Sequence, residues 1–161
     1  MLTAYSFSKN MGLYGERVGL LAIASQSEKS AAHIASQIKR IIRGLYSMPS
    51  LHGARIVSTV LNSEKLTLQW QKELTIMRQR VDSMRQALTE GLLAETKGFD
   101  FSYLKQQRGL FSLCGLSPQH VLTLREQHGI FMPSNGRINI AGLNHHNIDY
   151  VVKSIVSILQ P

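Results

Sequence analysis

The stretch Ser6-Phe7-Ser8-Lys9-Asn10-Met11-Gly12-Leu13-Tyr14-Gly15-Glu16-Arg17-Val18-Gly19 sets a lysine and an arginine between two apolar segments. On one side residues 3–8 (TAYSFS) alternate in polarity, and on the other residues 18–25 (VGLLAIAS) form a compact apolar run. Both patterns predict strands. The intervening KNMGLYGER, with Gly12, Gly15 and Gly19 in or beside it, predicts a tight, backbone-exposed loop. Loops of that kind hold polar chemistry between rigid strands.

Outward from this stretch the pattern turns helical. Ser27-Glu28 opens a run in which Ala31, Ile34, Ala35, Ile38, Ile41, Ile42 and Leu45 recur at three- and four-residue spacing. That helix is expected to stop between Gly44 and Pro49, because proline lacks a donor and restricts the residue before it. A shorter helix is expected over 52–61. From Ser63-Glu64, the residues Leu66, Trp70, Leu74, Met77, Val81, Met84, Leu88 and Leu92 mark one face almost to Gly98. A helix of that length is long for a globular protein and predicts a bridge between two lobes.

Beyond Gly98 the segments shorten. GLFSLCGL (109–116) predicts a strand, and Ser117-Pro118 caps a helix to about Gln127 with proline in its first turn. GIFM and RINIAGL predict two strands around a Pro-Ser-Asn-Gly turn, and HNIDYVVKSIVSIL predicts a terminal helix. No internal repeat or low-complexity segment occurs. The expected organisation is therefore 1–62 as part of a larger domain, 63–98 as the bridging helix, and 99–161 as a small α+β domain.

Composition sets outer bounds. Hydrophobic residues make up 43% and charged residues 17%, which excludes wholesale disorder. No apolar run reaches the roughly 18 residues a membrane span needs. The start, MLTAYSFSKN, has neither a basic region nor an apolar signal core, so a cytoplasmic location is expected. The single cysteine, Cys114, fits a reducing compartment and a small buried hydrophobe. Eighteen Lys+Arg against 10 Asp+Glu give a net charge of +8, which invites a nucleic-acid reading. The cations are scattered, however, through Lys39, Arg40, Arg43, Lys72, Arg78, Arg80, Arg85, Lys105 and Arg108, without a dense tract or interleaved aromatics. Solvated helix faces are the expectation, with no nucleic-acid or membrane partner.

The pattern S-x-S-K-N-x-G-L-Y-x-E-R-V-G resembles the cofactor-lysine motif of the class I, pyridoxal-phosphate-dependent aminotransferases, in particular the aspartate and aromatic amino acid subfamily. Further stretches are similar to that family, in the same order. Arg43-Gly44-Leu45-Tyr46-Ser47-Met48-Pro49-Ser50 resembles its R-x-x-Y-S-N-P-P segment, Arg108-Gly109-Leu110-Phe111-Ser112 its R-G-M-F-S strand, and Ser134-Asn135-Gly136-Arg137-Ile138-Asn139 its S-G-R-I-N turn and strand. The resemblance covers essentially the whole chain and implies an α/β architecture: the C-terminal part of a fold-type I transferase, with a remnant of the large-domain sheet, a long bridging helix and a small α+β domain.

The resemblance also implies roles. Lys9 matches the lysine that holds pyridoxal 5'-phosphate as an imine and shuttles a proton, work that requires a neutral amine although a free lysine has a pKa of about 10.4. Ser6, Ser8 and Arg17 match positions around the cofactor, Ser6 and Arg17 as phosphate ligands. Arg137 matches the arginine that clamps the substrate α-carboxylate, where a planar fork offers what lysine does not. Arg43 matches the arginine that reaches across a homodimer interface to the side-chain carboxylate of dicarboxylic substrates. Phe111 matches a pocket-lining position. Asn135, Met48 and Ser50 depart from the family pattern, the last two beside Arg43, which leaves open a preference for aspartate or for aromatic amino acids.

The family chain is more than twice as long, and the residues that pair with the cofactor ring nitrogen, stack on the ring and bond its phenolic oxygen precede the lysine there. Three readings follow. The first is transamination between an amino acid and a 2-oxo acid by a chain that needs a missing N-terminal half, for which a separately encoded partner, as from a split gene, is one source. The second is an inactive remnant or a truncated, non-catalytic interaction module. The third, a basic nucleic-acid-binding domain, rests on net charge alone. Strands whose sheet neighbours lie elsewhere are expected to leave backbone donors and apolar faces uncovered.

Overall fold

The computed structural model describes residues 1–160. It divides into two compact units, Met1–Leu74 and Thr75–Pro161, with the division inside the longest helix.

In the first unit, β1 (Leu2–Ser6) and β2 (Gly19–Ile23) pair antiparallel, in register from Leu2↔Ile23 to Ser6↔Gly19. The alternating segment and the apolar run expected to form strands do so, but over five residues each, 2–6 and 19–23 in place of 3–8 and 18–25. Every residue of β1 is exposed and β2 is exposed except for half-buried Ile23, so neither face of the ribbon is covered.

Helix α1 (Glu28–Tyr46) starts at Ser27, whose side chain accepts from the Ser30 amide and satisfies one of the donors a helix start leaves free. It ends at Ser47, where φ is +66°. Its apolar stripe is real, yet none of its residues is buried. Helix α2 (Leu51–Leu61) packs Gly53 onto the loop between β1 and β2. A Cβ at Gly53 would lie 2.8 Å from Glu16 Cβ and 3.1 Å from Val18 Cβ, so only glycine allows this approach. The His52 ring, 2.9 Å from a Glu16 carboxylate oxygen, adds a polar contact between the same two segments.

Helix α3 (Glu64–Glu95) runs 32 residues, close to the sequence expectation. Its buried residues, Val81, Met84, Arg85, Leu88, Thr89 and Leu92, all lie in its second half. In the second unit they meet α4 (Pro118–His128), α5 (Ile148–Leu159) and a two-stranded ladder in one apolar cluster that includes Leu104, Cys114, Leu124, Ile140 and Ile155. Helix α4 carries the serine cap expected of its sequence. Ser117 Oγ accepts from the His120 amide at 3.1 Å, and Pro118 stands in the first turn.

The ladder is smaller than the sequence suggests. β3 (Phe111–Leu113) and β4 (Arg137–Asn139) pair antiparallel with Phe111↔Asn139, Ser112↔Ile138 and Leu113↔Arg137. The expected strand over 109–116 is cut to three residues because Gly109 and Gly115 at its ends take φ of +84° and +67°. GIFM forms no strand. Gly129 closes α4 in the left-handed conformation, the Ile130 amide returns to the Leu124 carbonyl, and Pro133 supplies no donor for a ladder. RINIAGL keeps strand geometry only as far as Asn139, whose side chain accepts from the Ala141 amide and turns the chain into a short 3-10 segment.

Candidate active site

The end of β1 and the loop that follows bring Ser6, Ser8, Lys9 and Arg17 into one segment. The Ser6 and Ser8 hydroxyls lie 3.1 Å apart, and the Ser8 amide donates to Ser6 Oγ. Ser8 and Phe7 are buried, and the Phe7 amide donates to the Val18 carbonyl, which closes the loop at its base. Lys9 Nζ stands 4.2 Å from the centre of the Tyr14 ring, a cation–π contact that fixes the amine over the loop. Arg17 adopts φ of +52° and donates from Nη1 to the Tyr14 carbonyl at 3.0 Å. A side chain in that backbone region is uncommon and is held there by its surroundings.

Asn10 ties this loop to its neighbours. Its side-chain Nδ2 donates to the Tyr5 hydroxyl at 2.5 Å, its backbone carbonyl accepts from the Trp70 indole at 2.8 Å, and its side-chain Oδ1 is buried without a partner. The donor set suits a phosphate-bearing aldehyde: two adjoining hydroxyls and a guanidinium with unused donors for the phosphate, and a primary amine for the carbonyl. Among the described residues no group of histidine, cysteine or carboxylate side chains is arranged to hold a metal ion.

The remaining candidates stand apart in the chain. Arg43 is exposed in the last turn of α1, where a cation also complements the helix dipole. In the second unit, Phe111 and Arg137 meet on the outward face of the β3–β4 ladder, with the guanidinium carbon 4.8 Å from the ring centre. Asn135, the departure from the family's serine, accepts from the Arg137 amide at 3.2 Å and shapes the turn that presents the arginine. The sequence assigns no role to Tyr14 and places Arg85 among cations on solvated helix faces, whereas Arg85 is buried. Tyr14 sits inside the quoted motif. Arg85 shows itself as the one cation on the stripe Val81, Met84, Leu88, Leu92.

Comparison with known proteins defines the class of this chain, the aminotransferases of fold type I. The sequence pattern of "Aminotransferase class I and II" matches residues 1–155, and the chain belongs to that family. It is 47% identical over 154 residues to an aspartate aminotransferase of Pseudomonas aeruginosa, covering 96% of this chain and 39% of that protein. A tyrosine aminotransferase of Klebsiella pneumoniae is 40% identical over 159 residues, covering 99% of this chain and 40% of that protein.

Among solved structures, an aromatic amino acid aminotransferase from Psychrobacter sp. B6, crystallised with aspartic acid, matches with a TM-score of 0.93 at 42% identity. An aromatic amino acid aminotransferase from Burkholderia pseudomallei, covalently bound to pyridoxal phosphate, matches with a TM-score of 0.91 at 46% identity. Each covers 99% of this chain and 40% of its own. The chain thus spans about two fifths of the length of the relatives it matches, and its mixed helix and sheet form part of the family fold. No helix among the described residues is long and apolar enough to cross a membrane.

Proposed function

We propose that this chain serves amino-group transfer between an amino acid of the aspartate or aromatic type and a 2-oxo acid, with pyridoxal 5'-phosphate as cofactor. The observation that carries the reading is the segment 6–17, which gathers an amine, two hydroxyls and a guanidinium in a member of the aminotransferase family. When bound, the cofactor supplies a sink for the electron pair released at the substrate α-carbon. The chain's own residues do the rest. Lys9 Nζ would hold the cofactor and, as the free amine, would take up and return the proton of the substrate α-carbon. Ser6 and Ser8 donate hydroxyl hydrogen bonds to the phosphate and Arg17 neutralises it. Arg137 grips the α-carboxylate through its planar fork, Phe111 covers the apolar side of the pocket, and Arg43 meets a side-chain carboxylate across a homodimer interface.

The ring-nitrogen and ring-stacking groups that resemblance assigns to the preceding half of the family chain are part of this proposal, either in the same polypeptide or in a separately encoded partner. A cytoplasmic setting and the absence of nucleic-acid and membrane partners belong to it as well. A second reading, a non-catalytic subunit or interaction module, draws on the uncovered β1–β2 ribbon and on α1, which buries none of its residues.

The test is a visible absorption spectrum of the purified chain with pyridoxal phosphate, beside the Lys9→Ala variant. A band present in the first and missing in the second supports the reading. A band unchanged by the substitution refutes the role of Lys9, and a band absent from both favours the interaction module for the chain by itself. Turnover with aspartate and with phenylalanine then ranks the substrates.

A further inference from the structure

The β3–β4 ladder has two unlike faces. Phe111, Leu113, Arg137 and Asn139 are exposed, whereas Ser112 and Ile138 are buried. Against the inner face lies Arg85 of α3, only 2% exposed. Its guanidinium donates through one terminal nitrogen to Ser112 Oγ and through the other to the Gly109 carbonyl, while Nε is buried without an acceptor. None of the ion pairs among the described residues includes Arg85, and nearby Asp82 pairs with Arg78 instead. Burial pulls the Arg85 pKa down, with Asp82 opposing and Arg108 adding to the fall. An uncompensated cation in a core is costly, and leucine or methionine would pack there with less desolvation.

What only a guanidinium provides is a rigid fork. Its two arms grip Gly109 and Ser112, the two ends of a four-residue segment that has Phe111 inside it. The Ile140 amide, bonded to the Leu110 carbonyl at 2.8 Å, fixes the same segment to the chain beyond β4. Held at these points, Phe111 has no freedom to slide along β4, and its ring stays against the Arg137 guanidinium. We propose that Arg85 is a positioning residue for carboxylate recognition: it acts through β3 and Phe111 to keep the Arg137 fork oriented outward for a bidentate carboxylate. The inference rests on the carboxylate-binding reading of Arg137.

The experiment uses the full chain with nitrogen-15-labelled arginine. The Arg137 side-chain resonance is assigned by its loss in Arg137→Lys, and its ring-current shift is defined against Phe111→Leu. Two quantities are read: that shift without ligand, and the affinity for succinate. Arg85→Met removes the cation, Arg85→Lys keeps charge without the fork, and Ser112→Ala removes one acceptor. Both Arg85 variants are expected to lose most of the ring-current shift and about tenfold in succinate affinity, with Ser112→Ala losing about threefold, while the thermal midpoint of Arg85→Lys stays close to that of the parent. Should Arg85→Met fail to fold, Arg85→Lys and Ser112→Ala decide the matter. An unchanged ring-current shift and affinity in those two overturn the positioning role. If the parent chain takes up no succinate while Arg85→Lys still loses the shift, positioning of Arg137 through β3 stands and the carboxylate role of Arg137 is refuted.

Discussion

Replacing one leucine in each unit separates the part of the chain that carries its own core from the part that does not. Leu88 is fully buried and belongs to the apolar cluster that also takes in residues of α4, α5 and the ladder. Leu88→Ala removes a buried side chain and leaves a cavity, which costs about 3 kcal/mol within the usual span for such truncations. In α1 no residue is buried, and Leu45 is 74% exposed. Leu45→Ala removes almost no buried surface and keeps helix propensity, so a change within about 0.5 kcal/mol is expected. Native-state amide hydrogen exchange reads both effects locally. Leu88→Ala is expected to speed exchange in the second half of α3 and in α5 by about a hundredfold, the equivalent of about 3 kcal/mol. Amides of α1 should exchange fast in the parent chain and no faster in Leu45→Ala. Protection of α1 equal to that of α5, or a comparable acceleration by Leu45→Ala, would refute the reasoning, since it would require a covering surface for α1 within the isolated chain.

Two further expectations concern the second unit. Ser117→Ala deletes the capping acceptor of α4 and should lower the stability of that helix by about 1 kcal/mol, seen as faster exchange of the His120 amide and its neighbours. Burial pushes the Cys114 thiol from its ordinary value near 9 up to about 12. A raised folded pKa means that the folded state holds the proton more tightly, so this contribution is complete below pH 9 and is lost as pH rises toward 12. The difference in unfolding free energy between the parent and Cys114→Ala should therefore shift against the parent across that window, by up to about 1.4 kcal/mol per pH unit, in urea titrations at stepped pH.

Helix positions were legible because their signals are local. Ser27, the Ser117-Pro118 pair and the apolar spacing of α3 fall where the elements begin and run. The strands of the second unit were overread, since periodicity reports which residues are apolar and not whether a backbone finds a partner. GIFM has the composition of a strand, but the left-handed Gly129 on one side and Pro133 on the other leave it without a ladder. Of the candidate site, Ser6, Ser8, Lys9 and Arg17 were readable because one motif spans them. The contact of Phe111 with Arg137 was not, because it depends on a pairing register that joins segments 26 residues apart. Arg85 was counted among scattered surface cations. Its place on the apolar stripe of α3 was visible, but the acceptors that draw it inward, Gly109 and Ser112, belong to another segment.

The uncovered surfaces of the first unit follow from the same physics as the covered ones of the second. α1 has a stripe of isoleucine, leucine and alanine with cations on its other side, a pattern that stabilises a helix by burial rather than by local propensity. The ribbon of β1 and β2 likewise shows Leu2, Tyr5, Leu20 and Leu21 to solvent, and an isolated pair of strands is marginal in water. These residues find no covering surface within the first unit. The loop that carries Lys9 joins those two strands, so the order of the proposed site is expected to follow the order of the ribbon. Cofactor affinity and ribbon protection should accordingly rise together when a complementary half is supplied, because the same surface that closes the sheet fixes the two ends of the loop.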